Sequence, residues 1–319
     1  MSGESDILMI EGTQLNQADE WAPMLIYRVN GETAVPFFQS LLLAPPRING
    51  RFLTGLCAGY NPARREEWKI WADSLFSRGQ WLSCIHRTVV KYKLSPIDIW
   101  IMLPYPRFGQ ENFGEIDRRK LSFFNMEDRM HALRWWIAYV SGGFEKYVYG
   151  AWETKDAVPK IRLRGFVWGR EAVSASDQPL VQSVNEYITS LQLESVWLTN
   201  YGAAQLSAWR ELGFDHASVF SNYTGKTEYG IHYLNNAVNY ALAYKTGLQI
   251  ICGKGLRFDD SHFSHYLDQK KYFERNGGCG PLVYRFPNHS LSLIYKNHPY
   301  RYDQIFQSLN RRLTQKGGS

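Results

Sequence analysis

Eight short apolar runs, separated by stretches of helical periodicity, constrain this chain more than any other feature. The runs are 7–12 (ILMIEG), 38–45 (FQSLLLAP), 97–103 (IDIWIML), 161–168 (IRLRGFVW), 196–201 (VWLTNY), 216–222 (HASVFSN), 248–252 (LQIIC) and 282–286 (LVYRF). Each is too short for a buried helix and is bounded by turn signals, the pattern of strands covered on both faces. Helical periodicity fills much of the space between them, at 63–76, 127–140, 177–192, 232–244, 261–275 and 299–313. The clearest stripe runs through Leu180, Val184, Tyr187, Ile188 and Leu191, with Ser176 or Asp177 placed to cap it and Pro179 in its first turn. Asn125 and Asp128 stand in a capping-box relation ahead of Met130, Leu133, Ile137 and Val140. Residues 141–160 read as a loop or short hairpin.

Strands alternating with helices, without a long polar linker, predict one α/β domain with a parallel sheet. Eight units in roughly 300 residues favour a closed single (β/α)8 TIM-type barrel over an open doubly wound sheet. No glycine fingerprint follows the first strand, which argues against a dinucleotide fold. The expectation is therefore one barrel domain over 1–319, with a short disordered tail near 315–319.

Composition removes several function classes. Hydrophobic residues at 45% and charged residues at 21% exclude a disordered chain. The net charge is +6, but the basic residues are scattered rather than gathered into a stripe, so no nucleic-acid partner is expected. Cys57, Cys84, Cys252 and Cys279 form no C-x-x-C pair, and neither a metal nor a cofactor is expected. Cys252 and Cys279 flank the seventh helix, and the spacing leaves open whether they bond. No apolar stretch reaches the ~20 residues of a membrane span. The opening MSGESDILMI lacks a signal-peptide pattern, which fits a cytoplasmic protein or a secreted one without its leader.

In such barrels the chemistry gathers where the strands' C-terminal ends open into one mouth. Those ends offer Glu11, Thr13 and Gln14; Arg47; Tyr105 and Arg107; Trp168 and Glu171; Asn200 and Tyr201; Asn222 and Tyr223; Lys254; and Asn288 and His289. Carboxylates, amides and aromatic rings around one opening are the parts of a glycoside-cleaving site. One acid protonates the leaving oxygen, a second carboxylate attacks or activates water, and rings and amides hold the sugar. Glu171 is the candidate general acid or acid/base. The competing reading for it is a surface ion pair with Arg170. Tyr105, Arg107, Trp168, Asn200, Tyr201, Asn222, Tyr223 and Lys254 are the candidate sugar-binding residues, with Trp168, Tyr105, Tyr201 and Tyr223 as stacking platforms.

The segments MLPYPRFGQENFG (102–114), RMHALRWWI (129–137), GFVWGRE (165–171), WLTNYGA (197–203) and WRELGFDHASVFSNY (209–223) carry a family resemblance. They resemble an uncharacterised bacterial family known as a domain of unknown function and regarded as glycosidase-like (β/α)8 barrels. The resemblance implies a sugar-related role, with Glu171 as the glutamate after the fourth strand and Asn222 and Tyr223 as the pair after the sixth. It also exposes a departure. The family's seventh strand usually reads Gly-x-Glu-x-Glu, whereas this chain has GLQIIC at 247–252, placing Gln249 and Ile251 where acids are expected. Glu11, ending the first strand, is the candidate replacement, and Asp259 and Asp260 read as helix caps. Arg47, Arg107, Lys254 and Arg257 would suit an anionic polysaccharide. Two alternatives follow: a carbohydrate-binding barrel without catalysis, and a phosphosugar enzyme using the Gly253-Lys254-Gly255 loop.

Overall fold

The eight apolar runs form eight parallel strands. In the computed structural model, which describes residues 6–12, 18–29, 33–55, 61–152, 158–221, 223, 232–252, 260–286 and 291–309, these are β1 (Ile7–Glu11), β2 (Ser40–Ala44), β3 (Ile97–Met102), β4 (Ile161–Trp168), β5 (Glu194–Asn200), β6 (His216–Phe220), β7 (Gly247–Ile251) and β8 (Leu282–Arg285). They pair in sequence order, and β8 returns to β1 to close the barrel. The protein is a (β/α)8 barrel. Residues 315–319 lie outside the described residues.

The surrounding helices are α1 (Ala18–Leu25), α2 (Arg65–Phe76), α3 (Trp81–Lys91), α4 (Met126–Gly143), α5 (Gln178–Ser190), α6 (His232–Tyr244), α7 (Asp260–Arg275), α8 (Leu291–Asn297) and α9 (Pro299–Leu309). Between β5 and β6 the described chain makes only a 3₁₀ turn, Leu206–Ala208. The expected loop or hairpin at 141–160 is corrected over its first part, because α4 runs on as a π-helix over Phe144–Trp152. Phe144 and Val148 are buried there, so apolar packing outweighs the helix-breaking signal of Gly142 and Gly143. Asn125 caps α4 as expected, accepting from the Asp128 amide at 2.7 Å. Cys84, Cys252 and Cys279 are thiols, so no disulfide joins Cys252 to Cys279.

Strand alternation sorts the side chains into two layers. Ile7, Met9, Leu42, Trp100, Met102, Val167, Val196, Leu198 and Val283 fill the barrel interior. Their neighbours, among them Leu8, Leu41, Ile99, Phe166, Trp168, Trp197, Leu248 and Tyr284, pack outward against the helices. Strand β4 changes parity partway along. Its register with β3 shifts between Ile99 and Trp100, leaving Arg164 as an extra residue. Before the shift Ile161 and Leu163 face outward; after it Phe166 and Trp168 do, and Val167 turns in. A Cβ on Gly165 would lie 1.9 Å from the Glu194 carbonyl oxygen and 2.9 Å from the Trp100 ring, so this close approach requires glycine.

Gly165→Ala should accordingly destabilise the fold by about 3 kcal/mol, read as a lower urea midpoint. An unchanged midpoint would mean that β4 and β5 can separate at little cost.

Candidate functional site

Parity places Glu11, Asn200, Gln249, Ile251 and Arg285 toward the interior at the C-terminal mouth. Four of them belong to two hydrogen-bonded groups. In the first, Arg285 donates through Nη2 to Glu11 Oε1 at 2.6 Å and through Nη1 to Gln249 Oε1 at 3.2 Å. Gln249 then donates through Nε2 to the Thr199 and Ser218 carbonyls, each at 2.9 Å. The network therefore joins β1, β8, β7, β6 and β5. Gln249 is 2% exposed, and its amide is the group this position needs. A glutamate there would turn a carboxylate oxygen toward two backbone carbonyls instead of donating to them. Ile251 is also buried.

In the second group, Glu171 Oε2 accepts from Asn200 Nδ2 at 2.6 Å. The backbone beneath Glu171 is fixed at three successive carbonyls. Gly169 O accepts from the Gly55 amide at 2.6 Å, Arg170 O from Trp197 Nε1 at 3.1 Å, and Glu171 O from Thr199 Oγ1 at 2.9 Å. The loop after β2 and two side chains of β5 thus hold the exit of β4. The ion pair proposed for Glu171 with Arg170 does not form, because Arg170 is engaged elsewhere.

Its partner is Asp177, which is 0% exposed and receives four donors. Asp177 Oδ2 accepts from Arg170 Nη1 at 2.7 Å, from Ser174 Oγ at 2.9 Å and from Tyr105 OH at 3.1 Å, while Oδ1 accepts from Arg129 Nη2. Arg129 is itself buried and also donates to the carbonyls of Pro106 and Ser176, tying the loop after β3 to the loop after β4. Burial pushes the Asp177 carboxyl up, but the Arg129 bond and charge, with Ser174 and Arg170, hold it below the ordinary carboxylate value. Burial, then the Asp177 charge, raise the Tyr105 hydroxyl above its usual value. Asp177 begins α5 as expected, yet its side chain makes no capping bond, since both oxygens are committed to this cluster.

The expected aromatic platforms separate by burial. Trp168 is 2% exposed and sits in the outer layer edge-on to Tyr105. Tyr223 is 4% exposed, with its hydroxyl 2.8 Å from His265 Nδ1. Neither offers an open face, because the β4 parity change turns Trp168 outward and α7 covers Tyr223. Tyr105 is half-buried, and Tyr201 is 37% exposed beside Tyr240. Arg107 is exposed, and Arg47 lies over Phe52 and donates to Gly50 O. Asn222, Lys254 and the Gly253-Lys254-Gly255 loop, with Thr13, Gln14, Arg257, Asp259, Asn288 and His289, lie outside the described residues, as does the side chain of Asp260.

Sequence reasoning missed Asp177, Arg129 and Arg285 as site-building residues. A parity count along LVYR puts Arg285 on the inner face with Val283, so that residue had a local signal. Arg129 and Asp177 lie 48 positions apart and had none. Among the described residues, no group of three or more His, Cys, Asp or Glu is placed to hold a metal.

The closed barrel, the inward-facing Glu11 and the mouth amides define a (β/α)8 protein with hydrogen-bonded polar groups at its C-terminal opening. The chain belongs to the DUF4855 family, a domain of unknown function, whose profile matches residues 6–311. No curated protein matches it in sequence. Among solved structures it is similar to the GH18 chitinase ChiB from Flavobacterium johnsoniae, at 8% identity and TM-score 0.49, covering 98% of this chain and 96% of that one. It is also similar to an α-amylase from Malbranchea cinnamomea, at 10% identity and TM-score 0.49, covering 98% and 77%. The spore cortex-lytic enzyme SleL of Bacillus megaterium QM B1551 gives 8% identity and TM-score 0.47, covering 97% and 75%.

Two outcomes follow from the networks. Gln249→Glu should destabilise the protein by about 2–3 kcal/mol at neutral pH, because two donations are lost and a charge is buried. The loss should shrink as pH falls and the new carboxyl takes up a proton; a loss that does not vary with pH would contradict the geometry. Asp177→Asn should cost about 3–5 kcal/mol at pH 7 by leaving Arg129 buried and unpaired. Because the folded-state value of Asp177 is depressed, its contribution is present above the ordinary carboxylate range and fades as pH falls below about 4. Denaturant unfolding from pH 7 to pH 3 should therefore show the two proteins converging in acid.

Proposed function

We propose that this barrel is a glycoside hydrolase acting on a poly- or oligosaccharide, with Glu171 as general acid or acid/base and Glu11 as the second carboxylate. The observation that carries the reading is the contrast between their partners. Glu171 meets a neutral amide, Asn200 at 2.6 Å, and Glu11 meets a guanidinium, Arg285 at 2.6 Å. A group that must give a proton to the leaving oxygen and recover one from water is served by an uncharged partner that orients one oxygen. A group that acts as an anion, on the sugar or on water, is served by a fixed counter-charge. The pinned carbonyls of residues 169–171 support the reading, since a proton donor must be held in place before the substrate arrives. Tyr201, with its ring open beside Asn200, is the stacking residue of this site. Arg107, Asn222 and Lys254 complete the proposed contacts, and the two cations among them would favour an anionic sugar.

A second reading has an observation of its own. Gln249 and Ile251 put an amide and a hydrocarbon on β7 where the resembled family carries acids, which favours a carbohydrate-binding barrel without catalysis.

Reducing-end release and binding, measured on the same panel of neutral and acidic oligosaccharides, separate the two readings. The hydrolase reading expects cleavage by the wild type and a loss of about 10²-fold or more in both Glu171→Gln and Glu11→Gln, with melting temperature retained. Binding without new reducing ends would favour the second reading. Near-normal turnover by Glu171→Gln would remove the mechanism, and near-normal turnover by Glu11→Gln would remove its second half.

A further inference from the structure

Arg170 and Glu171 are adjacent residues of opposite charge at the exit of β4, yet they do not pair. The guanidinium of Arg170 turns to Asp177 Oδ2 at 2.7 Å and Tyr105 OH at 2.5 Å, and the Glu171 carboxylate turns to Asn200. Glu171 is the carboxylate next to Arg170 in the chain, so an arginine released from Asp177 has an acid as its immediate neighbour. What prevents that pairing is a carboxylate with no solvent exposure. Asp177 forgoes its own helix cap and takes hydrogen bonds from Arg129, Arg170, Ser174 and Tyr105. A bond from a single neutral group would not repay burying a charge; two guanidinium groups and two hydroxyls do. Arg129 anchors the assembly from α4 through the carbonyls of Pro106 and Ser176, so Asp177 has an anchor independent of Arg170.

We propose that Asp177 is a positioning residue for Glu171: it sequesters the Arg170 side chain and thereby leaves Glu171 with the neutral Asn200 as its partner. The inference rests on the acid/base role proposed for Glu171. Asp177 touches no substrate in this account and acts through Arg170. The charged and titratable groups facing it are Arg170 from the β4 exit, Arg129 from α4 and Tyr105 from the loop after β3. With two guanidinium groups on one carboxylate the cluster keeps a net positive charge; what Asp177 sets is where the Arg170 guanidinium points.

The test reads the Glu171 carboxyl directly, by ¹³C NMR titration of protein labelled at glutamate, with the signal assigned by its absence in Glu171→Gln. In Asp177→Asn the released Arg170 should lower the Glu171 titration midpoint by about 1–2 pH units relative to wild type. Adding Arg170→Gln to that variant should return the midpoint toward the wild-type value, a charge-specific rescue that a merely structural role of Asp177 would not produce. An unchanged midpoint in Asp177→Asn, or a shift that persists in the double variant, overturns the proposal. Should Asp177→Asn fail to fold, Arg170→Gln alone decides. Sequestration predicts little change in Glu171, whereas a rise of about one unit would mean that Arg170 already acts on it in the native protein. The titration needs no substrate, so a wild type that cleaves no glycan counts against the hydrolase reading without obscuring this result. Where cleavage is found, the basic limb of the pH–rate profile should move in the same direction as the midpoint.

Discussion

The close approach of β4 to its neighbour β5 at Gly165 is the constraint from which the geometry of the mouth follows. Only a residue without a Cβ lets the Glu194 carbonyl and the Trp100 ring approach so closely. The register shift beside it reverses which side chains of β4 face the interior. Val167 then completes the inner layer, and Trp168 leaves it for the space between barrel and helices. Beyond Trp168 the chain emerges against β5, where Trp197 and Thr199 take its carbonyls and Asn200 takes the Glu171 carboxylate. An unshifted β4 would send Trp168 into the interior and rotate that exit.

Much of the architecture was legible because it repeats a simple physical rule. Buried parallel strands must be apolar on both faces, and all eight runs that met this condition became barrel strands. Asn125 was legible too, since a cap is a local event between neighbours. The failures come from contacts that no local pattern encodes. Helix α1 contains Pro23 and was passed over, although Tyr302 from α9 donates to the Pro23 and Ile26 carbonyls near its end. The glycine pair at 142–143 reads as a stop, but the aromatic rings behind it continue the helix. Trp168 looked like a sugar platform because its strand parity could not be counted through an unseen bulge. Asp177 looked like a cap because its true partners come from three separate segments of the chain.

The seventh strand ties the frame of the mouth together through one side chain. Gln249 uses both amide hydrogens on the backbone of β5 and β6 and its oxygen on Arg285, which in turn holds Glu11. The residue that departs from the resembled family's pattern is thus the one that connects the two sides of the opening. Its amide bridges neighbouring strands where a carboxylate would have to be neutralised or solvated. The carboxylate retained on this side is on β1, reached through the arginine of β8.

The pinning of residues 169–171 bears on how this surface can change over time. All three restraints act on main-chain oxygens, which every amino acid supplies, so none depends on which side chain occupies position 171. A substitution there can alter the charge at the mouth without dismantling the ledge on which it stands. Descendants of such a barrel can change the group at this position in a single step and reverse it later, because the scaffold is indifferent to the side chain it carries.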